Sequence, residues 1–347
     1  MDTNQLRKVW QQLHDFCGVR EWKGYDPFDG LNSPLAKLLP GKMARQAWTQ
    51  FHKRSPINFR PLCGIKPTLN AKGVALFAMG SAAMGKHDEA TRLLQLLEST
   101  RGADGGWGYP FDWQSRVFFA PRGSSNLICT AFAAKAFREL GGKCDFSYIE
   151  KHLMRERGGE RWITYIAASD TQVHNVNMIG AALLGRRDCM EFSAKRQQAD
   201  GSWWYGESDN QHWVDNFHTG YNLVALKDYE KATGDSSFAG NAERGFKYWD
   251  KTFWGEDGEP FYYHNEQYPV DCHCSAQGIL TYLAFGNVDK ANRVARWVLE
   301  NMWDDRGFFW YQQSGRFTNH ICYMRWTQAW MYCALAKLIK ANETTHR

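Results

Sequence analysis

The sequence predicts an all-α fold, an (α/α)6 toroid in which a barrel of six inner helices is wrapped by about six outer ones, with short β pieces at one rim. Three observations predict it. Stretches rich in Ala, Gly, Leu and Met recur along the chain and are apolar almost all round, the pattern of a helix buried on every side. Between them lie stretches with one polar face, which read as half-exposed helices. Glycine turns followed by aromatic rings separate many of these pairs, the glycine supplying the turn and the ring plugging it.

In chain order, the amphipathic stretch 3–16 stands first and has no buried neighbour beside it. It is expected to serve as the outer partner of the last inner helix. Residues 31–71 follow as a basic connecting segment. The inner stretches then fall at 72–84, 126–137, 175–184, 217–229, 275–285 and 328–339, and the remaining outer ones at 88–100, 146–155, 188–198, 236–252 and 287–302. The turns are Asp104-Gly105-Gly106-Trp107, Asp200-Gly201-Ser202-Trp203, Asp257-Gly258 and Gly307-Phe308-Phe309-Trp310. Strand-like pieces at 260–264 and 307–312 would decorate a rim. Residues 1–347 are expected to form a single toroid domain.

Composition sets the class. With 347 residues, 44% of them hydrophobic and 23% charged, the chain can bury a sizeable core. No apolar run reaches the roughly 18 residues of a spanning helix. Residues 1–12 lack the apolar centre of a secretory signal, so the expected location is cytoplasmic. Nine cysteines without regular spacing fit free thiols in a reducing compartment. Aromatics make up 15% of the chain, including 16 Trp. Flat rings in a cleft suit a pyranose, which has an apolar face and a rim of hydroxyls; a core of large aromatics is the structural alternative.

Polar residues gather where the inner helices begin. Asp112 and Arg116 precede the second; Asp170, His174 and Asn177 open the third; Glu207, Asp209, His212, Asp215 and His218 the fourth; Tyr262, Tyr263, His264, Tyr268, Asp271 and His273 the fifth; Tyr323, Arg325, Trp326 and Gln328 the sixth. Buried titratable groups are costly unless paired, so a rim rich in them reads as a wet cleft. Helix capping alone accounts equally well for Asp170 and Asp215. The candidate catalytic residues are His218, His273, Tyr263, Asp215, Asp271 and Glu207. His218 and Asn222 are four apart, as are His273 and Gln277, so each pair shares a helix face. With Tyr263 or Tyr221, the histidines would offer a base on one side and an acid on the other, as proton abstraction and return at a sugar carbon require. The candidate substrate-binding residues are Asp112, Arg116, Trp107, His174, Asn177, Tyr221, Tyr323, Arg325 and Trp326. Arg116 and Arg325 beside rings suit a carboxylate or phosphate held by both edges of a guanidinium.

No cofactor and no metal is expected. Asp271-Cys272-His273-Cys274, with His320 and Cys322, offers zinc-type ligands. Adjacent helical residues point about 100° apart, however, so the three cannot easily meet one ion. There is no Asp-x-Asp-Asp run, no phosphate loop and no dinucleotide fingerprint. From Leu31 to His87 there is no acidic residue, but Lys37, Lys42, Arg45, Lys53, Arg54, Arg60, Lys66, Lys72 and Lys86 are basic. Leu38, Leu39, Met43, Trp48 and Phe51 alternate with them. That fits an anionic membrane surface or a lipid-linked pyrophosphate, with a solvated basic face as the alternative. No motif accompanies the charge that would point to nucleic acid.

The stretch Gln197-Gln198-Ala199-Asp200-Gly201-Ser202-Trp203 resembles the Gln/Trp turn motif of terpenoid-cyclase and prenyltransferase toroids. Residues 25–33, Gly106-Trp107-Gly108-Tyr109-Pro110-Phe111-Asp112-Trp113-Gln114, Asp215-Asn216-Phe217-His218-Thr219-Gly220 and residues 323–330 resemble the VpsJ-like family of bacterial exopolysaccharide and lipopolysaccharide clusters. That resemblance implies a setting in surface-polysaccharide assembly. The expected function is acid/base chemistry, epimerisation first, on a uronic-acid-type or related sugar carried by an oligosaccharide or polysaccharide, free or lipid-linked. The alternatives are a hydrolase or lyase led by Asp112, Glu207 and Asp215, a non-catalytic glycan-binding scaffold, and a zinc-dependent cyclase-like enzyme.

Overall fold

The computed structural model describes residues 2–345, and the chain folds as an α/α toroid. Its helices are α1 (Thr3–Gly18), α2 (Gly41–Arg54), α3 (Ala71–Ala83), α4 (His87–Glu98), α5 (Leu127–Glu139), α6 (His174–Leu184), α7 (Arg187–Ala194), α8 (Asn216–Thr233), α9 (Ala239–Thr252), α10 (Cys272–Ala284), α11 (Val288–Met302) and α12 (Trp330–Thr345). A wide helical turn, Met324–Ala329, runs directly into α12. Among the described residues no helix is long and apolar enough to cross a membrane.

The inner ring runs α3, α5, α6, α8, α10 and α12, and closes where α12 packs back on α3. These helices can be central because almost nothing on them needs water. In α3 every residue from Ala71 to Ser81 is buried, and in α10 every residue from Cys272 to Ile279 is. The outer helices bury one stripe each. In α11 that stripe is Ala291, Val294, Ala295, Trp297, Val298 and Met302. Helix α4 covers α3, α7 covers α6, α9 covers α8, α11 covers α10, and α1 covers α12 as the sequence requires.

The glycine turns do the same job repeatedly. An aspartate at each turn accepts from a backbone N–H two residues on: Asp104 from Gly106, Asp200 from Ser202, Asp257 from Glu259 and Asp304 from Arg306. The Trp107 and Trp203 indoles then donate to the carbonyls of Leu97 and Ser193 at the ends of α4 and α7, both at 2.9 Å, satisfying groups that a helix end leaves open. Gly201 sits at φ +98°, and a Cβ there would lie 2.5 Å from the Arg244 carbonyl oxygen.

One outer helix departs from expectation. Residues 146–155 give only a wide helical turn, Ile149–Leu153, before the chain becomes a β-hairpin that pairs Met154–Arg157 with Glu160–Ile163. Gly158 and Gly159, at φ +59° and +79°, form its two-residue turn. A Gly-Gly turn with positive φ favours a hairpin over a helix.

Candidate active site

The first turns of the inner helices meet at one end of the barrel and line a cavity of about 760 Å³, inside the range of roughly 300–1,000 Å³ typical of small-molecule sites. Lys72 of α3, Ile128 of α5, Asn175 of α6, Asp215, Phe217, His218 and Tyr221 at α8, His273 of α10, and Arg325 and Trp326 before α12 all reach it. The capping residues that start these helices, Asn70, Asn126, Asp215 and Asp271, each accept a backbone N–H of the first turn. The aromatic wall comes from the segment 109–118 with Tyr165, Tyr205 and Trp213; Tyr205 and Trp213 stack at 4.6 Å. Helix α2 forms the remaining side through Gln46, Gln50, Lys53 and Arg54.

At the rim, His218 Nδ1 donates to Asp215 Oδ2 at 2.6 Å. The same oxygen accepts the Trp213 indole at 3.0 Å, while Oδ1 caps α8 through the His218 N–H. Asp215 is buried and His218 is 23% exposed. With Nδ1 engaged, His218 Nε2 is the nitrogen left, and it has no hydrogen-bond partner among the described residues. An imidazole held this way by a carboxylate is oriented for proton transfer, and its imidazolium is stabilised.

Deeper in, His273 is buried with both nitrogens bound. Nδ1 donates to the Trp326 carbonyl at 3.0 Å, so Nε2 accepts from the Tyr221 hydroxyl at 2.6 Å. Burial, then the nearby Lys72 and Arg325 charges, hold this imidazole well below its ordinary pKa, so it stays neutral. Burial likewise pushes the Tyr221 phenol well above its usual value. Tyr221 lies between the two histidines, with ring centroids 6.1 Å from His218 and 6.0 Å from His273. Tyr263 stands at the rim, its phenol raised by burial and then by Asp215. Arg116 is exposed at the mouth, 5.2 Å over the Trp213 ring.

The expected residues therefore divide. His218, His273, Asp215, Tyr221, Tyr263, Arg116, Arg325 and Trp326 share one cavity. Asp271 does not line it. That carboxylate caps α10 and accepts from Gln312 and Trp326, and burial raises it to about 6. Glu207 and His174 pair with each other at 2.8 Å away from the cavity, with Arg196 on the glutamate and Ser193 on the histidine. Asn177 is consumed by Ile163, Cys189 and Ser193. Trp107 plugs its turn. Asp112 accepts the Arg122 N–H of its own loop. Tyr323 is buried against Arg60 and the His52 carbonyl. Asp170 is no cap; it pairs with Arg155. Asn222 and Gln277 do not reach the cavity. Arg325 reaches it, but Asp26 already holds its guanidinium at 2.5 and 2.7 Å, so the two-edged grip expected for substrate is taken by the protein's own carboxylate.

The basic segment is corrected too. Arg60 is fully buried against Asp29, Lys53 turns into the cavity over the Phe28 ring, and Lys72 lies at the cavity floor. Trp48 is tied to the Gly30 carbonyl rather than free for an interface. Among the described residues no three His, Cys, Asp or Glu side chains are placed to hold a metal ion. Asp26 is a functional candidate that sequence reasoning missed, and Lys72 reads in the sequence only as part of the basic run, not as a cavity residue. Lys72 had a signal, as the only charge in the otherwise apolar stretch 71–84.

No family model and no curated protein matches the chain. Solved structures do. The type II terpene cyclase MstE from Scytonema is similar with a TM-score of 0.61 and 13% identity, over 98% of this chain and 100% of that one. The cellobiose 2-epimerase of Spirochaeta thermophila gives 0.57 and 11%, over 80% of this chain and 87% of the other. The family 76 α-mannanase of Bacteroides thetaiotaomicron gives 0.56 and 12%, over 80% and 87%. At these identities the likeness establishes the toroid.

Proposed function

We propose that the protein is a carbohydrate-active enzyme performing acid/base chemistry on a sugar in this cavity, with epimerisation as the reaction. The observation that carries the reading is the Asp215–His218 pair, one oriented imidazole with its free nitrogen at an aromatic-walled cavity. His218 Nε2 takes a proton from a sugar carbon made acidic by an adjacent carbonyl or carboxylate, and Asp215 stabilises the imidazolium formed. The Tyr263 phenol, protonated at neutral pH as any phenol is and held further so by burial, returns a proton from another side. Cellobiose 2-epimerases among the similar folds support a sugar substrate without establishing it.

Hydrolysis fits less well. A glycosidase generally needs two carboxyl groups facing the scissile bond. Of the three carboxylates proposed for that reaction, Asp112 and Glu207 lie outside the cavity, and both oxygens of Asp215 are engaged. The setting carried by the family resemblance is surface-polysaccharide assembly. Exposed Leu38, Met43, Phe51, Ile57 and Leu62, interspersed in sequence with exposed Lys37, Lys42 and Arg54 within and around the cavity-wall helix α2, support work on a lipid-linked glycan at an anionic cytoplasmic membrane face.

The test is wash-in of solvent deuterium to an acidic-sugar oligosaccharide, followed by NMR. Epimerisation places deuterium at one carbon and inverts it, and His218→Ala lowers the rate by roughly 10²–10⁴-fold. Cleavage products without deuterium would replace this reading with hydrolysis. Binding without any turnover would leave a glycan-binding scaffold.

A further inference from the structure

Lys72 is hard to explain as a structural residue. It sits in the first turn of α3, 4% exposed, with its ammonium at the cavity floor. Phe132, Trp330 and Tyr221 surround it at 4.6, 4.7 and 5.2 Å from their ring centroids. Among the described residues the ammonium makes one hydrogen bond, a long one of 3.3 Å, donated to the Tyr221 hydroxyl. That leaves N–H donors of a three-donor group unfilled. No carboxylate lies within ion-pair distance of it among the described residues, whereas the neighbouring Arg325 has Asp26. The other cavity cations are unpaired as well: Lys53, Arg54 and Arg116 have no carboxylate partner among the described residues, and the cavity's own carboxylates are Asp215, committed to His218, and exposed Glu266. A site built this way lacks one negative charge, and lacks it at the floor.

We propose that Lys72 is the anchor for an oxyanion on the substrate, the carboxylate of a uronic acid, drawn to the floor of the cavity against the Lys72 ammonium. This rests on the reading of the cavity as a sugar site and deepens it by fixing the substrate's charge and its orientation. The acidic sugar enters carboxylate first, so the carbon next to the carboxylate lies inside the ring of helix N-termini, where each N-terminus adds favourable potential for an anion. The groups facing Lys72 from every packed element are Cys129 of α5, Tyr221 of α8, neutral His273 of α10, and the Arg325–Asp26 pair before α12. None is a free anion. Burial and then Arg325 depress the free amine's pKa well below its ordinary value. An arriving carboxylate reverses that and draws a proton onto the amine as it binds.

The experiment measures binding to the intact protein of glucuronate, its methyl ester, glucose and glucose 6-phosphate, by ligand-observed NMR and by calorimetry in two buffers of different ionisation enthalpy. Glucuronate is expected to bind about ten-fold or more tighter than its ester or glucose, as one charge-assisted hydrogen bond would give, with net proton uptake. Lys72→Met is expected to remove both the preference and the uptake. A tighter grip on glucose 6-phosphate than on glucuronate, also lost in Lys72→Met, would keep the oxyanion site and assign it to phosphate. Equal binding of glucuronate and its ester, absence of binding by any of the four, or a preference that survives in Lys72→Met would overturn the proposal. Should Lys72→Met fail to fold, the ester comparison and proton uptake on the unaltered protein decide alone. His218→Ala separates this from the catalytic reading. It should keep the glucuronate preference while stopping deuterium wash-in, and a wild-type protein that shows the preference but never exchanges deuterium refutes only the catalytic reading.

Discussion

Replacing Lys72 by methionine should make the protein more stable. Among the described residues the ammonium, buried at the cavity floor, has a single 3.3 Å hydrogen bond and no counter-ion. Methionine has nearly the same length and suits the surrounding rings of Phe132, Tyr221 and Trp330. Removing buried charge in favour of a well-packed apolar side chain of similar volume is neutral to stabilising, up to about 4 kcal/mol. Against this stand the cation–π contacts, together about 2 kcal/mol, and one weak hydrogen bond, about 0.5 kcal/mol. Tyr221 keeps its partner, because its hydroxyl donates to His273 and only accepted from Lys72, so no new orphan is left. The net gain should be about 1–2 kcal/mol, or a rise in Tm of about 1–3 °C for a chain of this size. The sign has a pH signature. A base whose folded pKa is depressed loses stability as pH falls from its unfolded value, 10.5, through the folded one. The advantage of Lys72→Met should therefore be full only below the folded pKa and shrink as pH rises towards 10.5. Calorimetric melts of both proteins at neutral and alkaline pH measure it. A fall in Tm of several degrees, or an advantage that grows with pH, would refute the reasoning and make Lys72 a structural strut.

Asp215→Asn should keep the cap on α8 but leave the Trp213 indole without its acceptor, costing about 1–3 kcal/mol, and should lower turnover by roughly 10²-fold or more, because the amide cannot stabilise the His218 imidazolium; a melt and a rate measured on the same sample separate the two. His14, between α1 and α4, bonds Glu89 at 2.9 Å and Asp15 at 3.0 Å, and its pKa is raised above 6.5, chiefly by Glu89. Its contribution is fully present below about pH 6.5 and lost as pH rises through the higher folded value. His14→Gln should flatten that part of the Tm-versus-pH curve. Anionic vesicles should retain the protein at low salt and release it at high salt, with each lost surface cation costing on the order of 1 kcal/mol. Charge reversal at Lys37 and Lys42 should weaken retention, and equal retention on neutral vesicles would count against it.

The ring was legible because its helices carry so little that needs water. A stretch such as 71–84, with one charge, has few places to go but the interior, and the Asp-Gly-aromatic turns mark where the chain comes back. The rim was legible as a zone and not as a list of residues. His174 and His218 look alike in sequence, each near the start of an inner helix. Which one faces the cavity depends on the partner that folding supplies, Glu207 for one and Asp215 for the other. Arg325 was seen, but Asp26, 299 positions earlier, was not. The basic segment misled most, because a cation counts the same in a charge run whether it ends in solvent, like Lys37, or inside, like Arg60. The lost outer helix at 146–155 failed for a local reason, the Gly158-Gly159 turn.

The barrel is sealed by its most distant parts. The Trp10 indole donates to the Tyr332 carbonyl across 322 positions, and Arg7 of α1 meets Glu343 of α12. Closing so long a loop costs little at equilibrium, since each doubling of length adds only about 0.6 kcal/mol. In time it costs more. At about 5–20 residues per second, α1 emerges from the ribosome roughly 15–60 s before α12 exists to receive it. Through that interval the Leu6, Trp10 and Leu13 stripe has no seat. The nascent chain is thus an open arc with apolar surface at both ends, and anything that binds such surface reversibly competes with the final closing step.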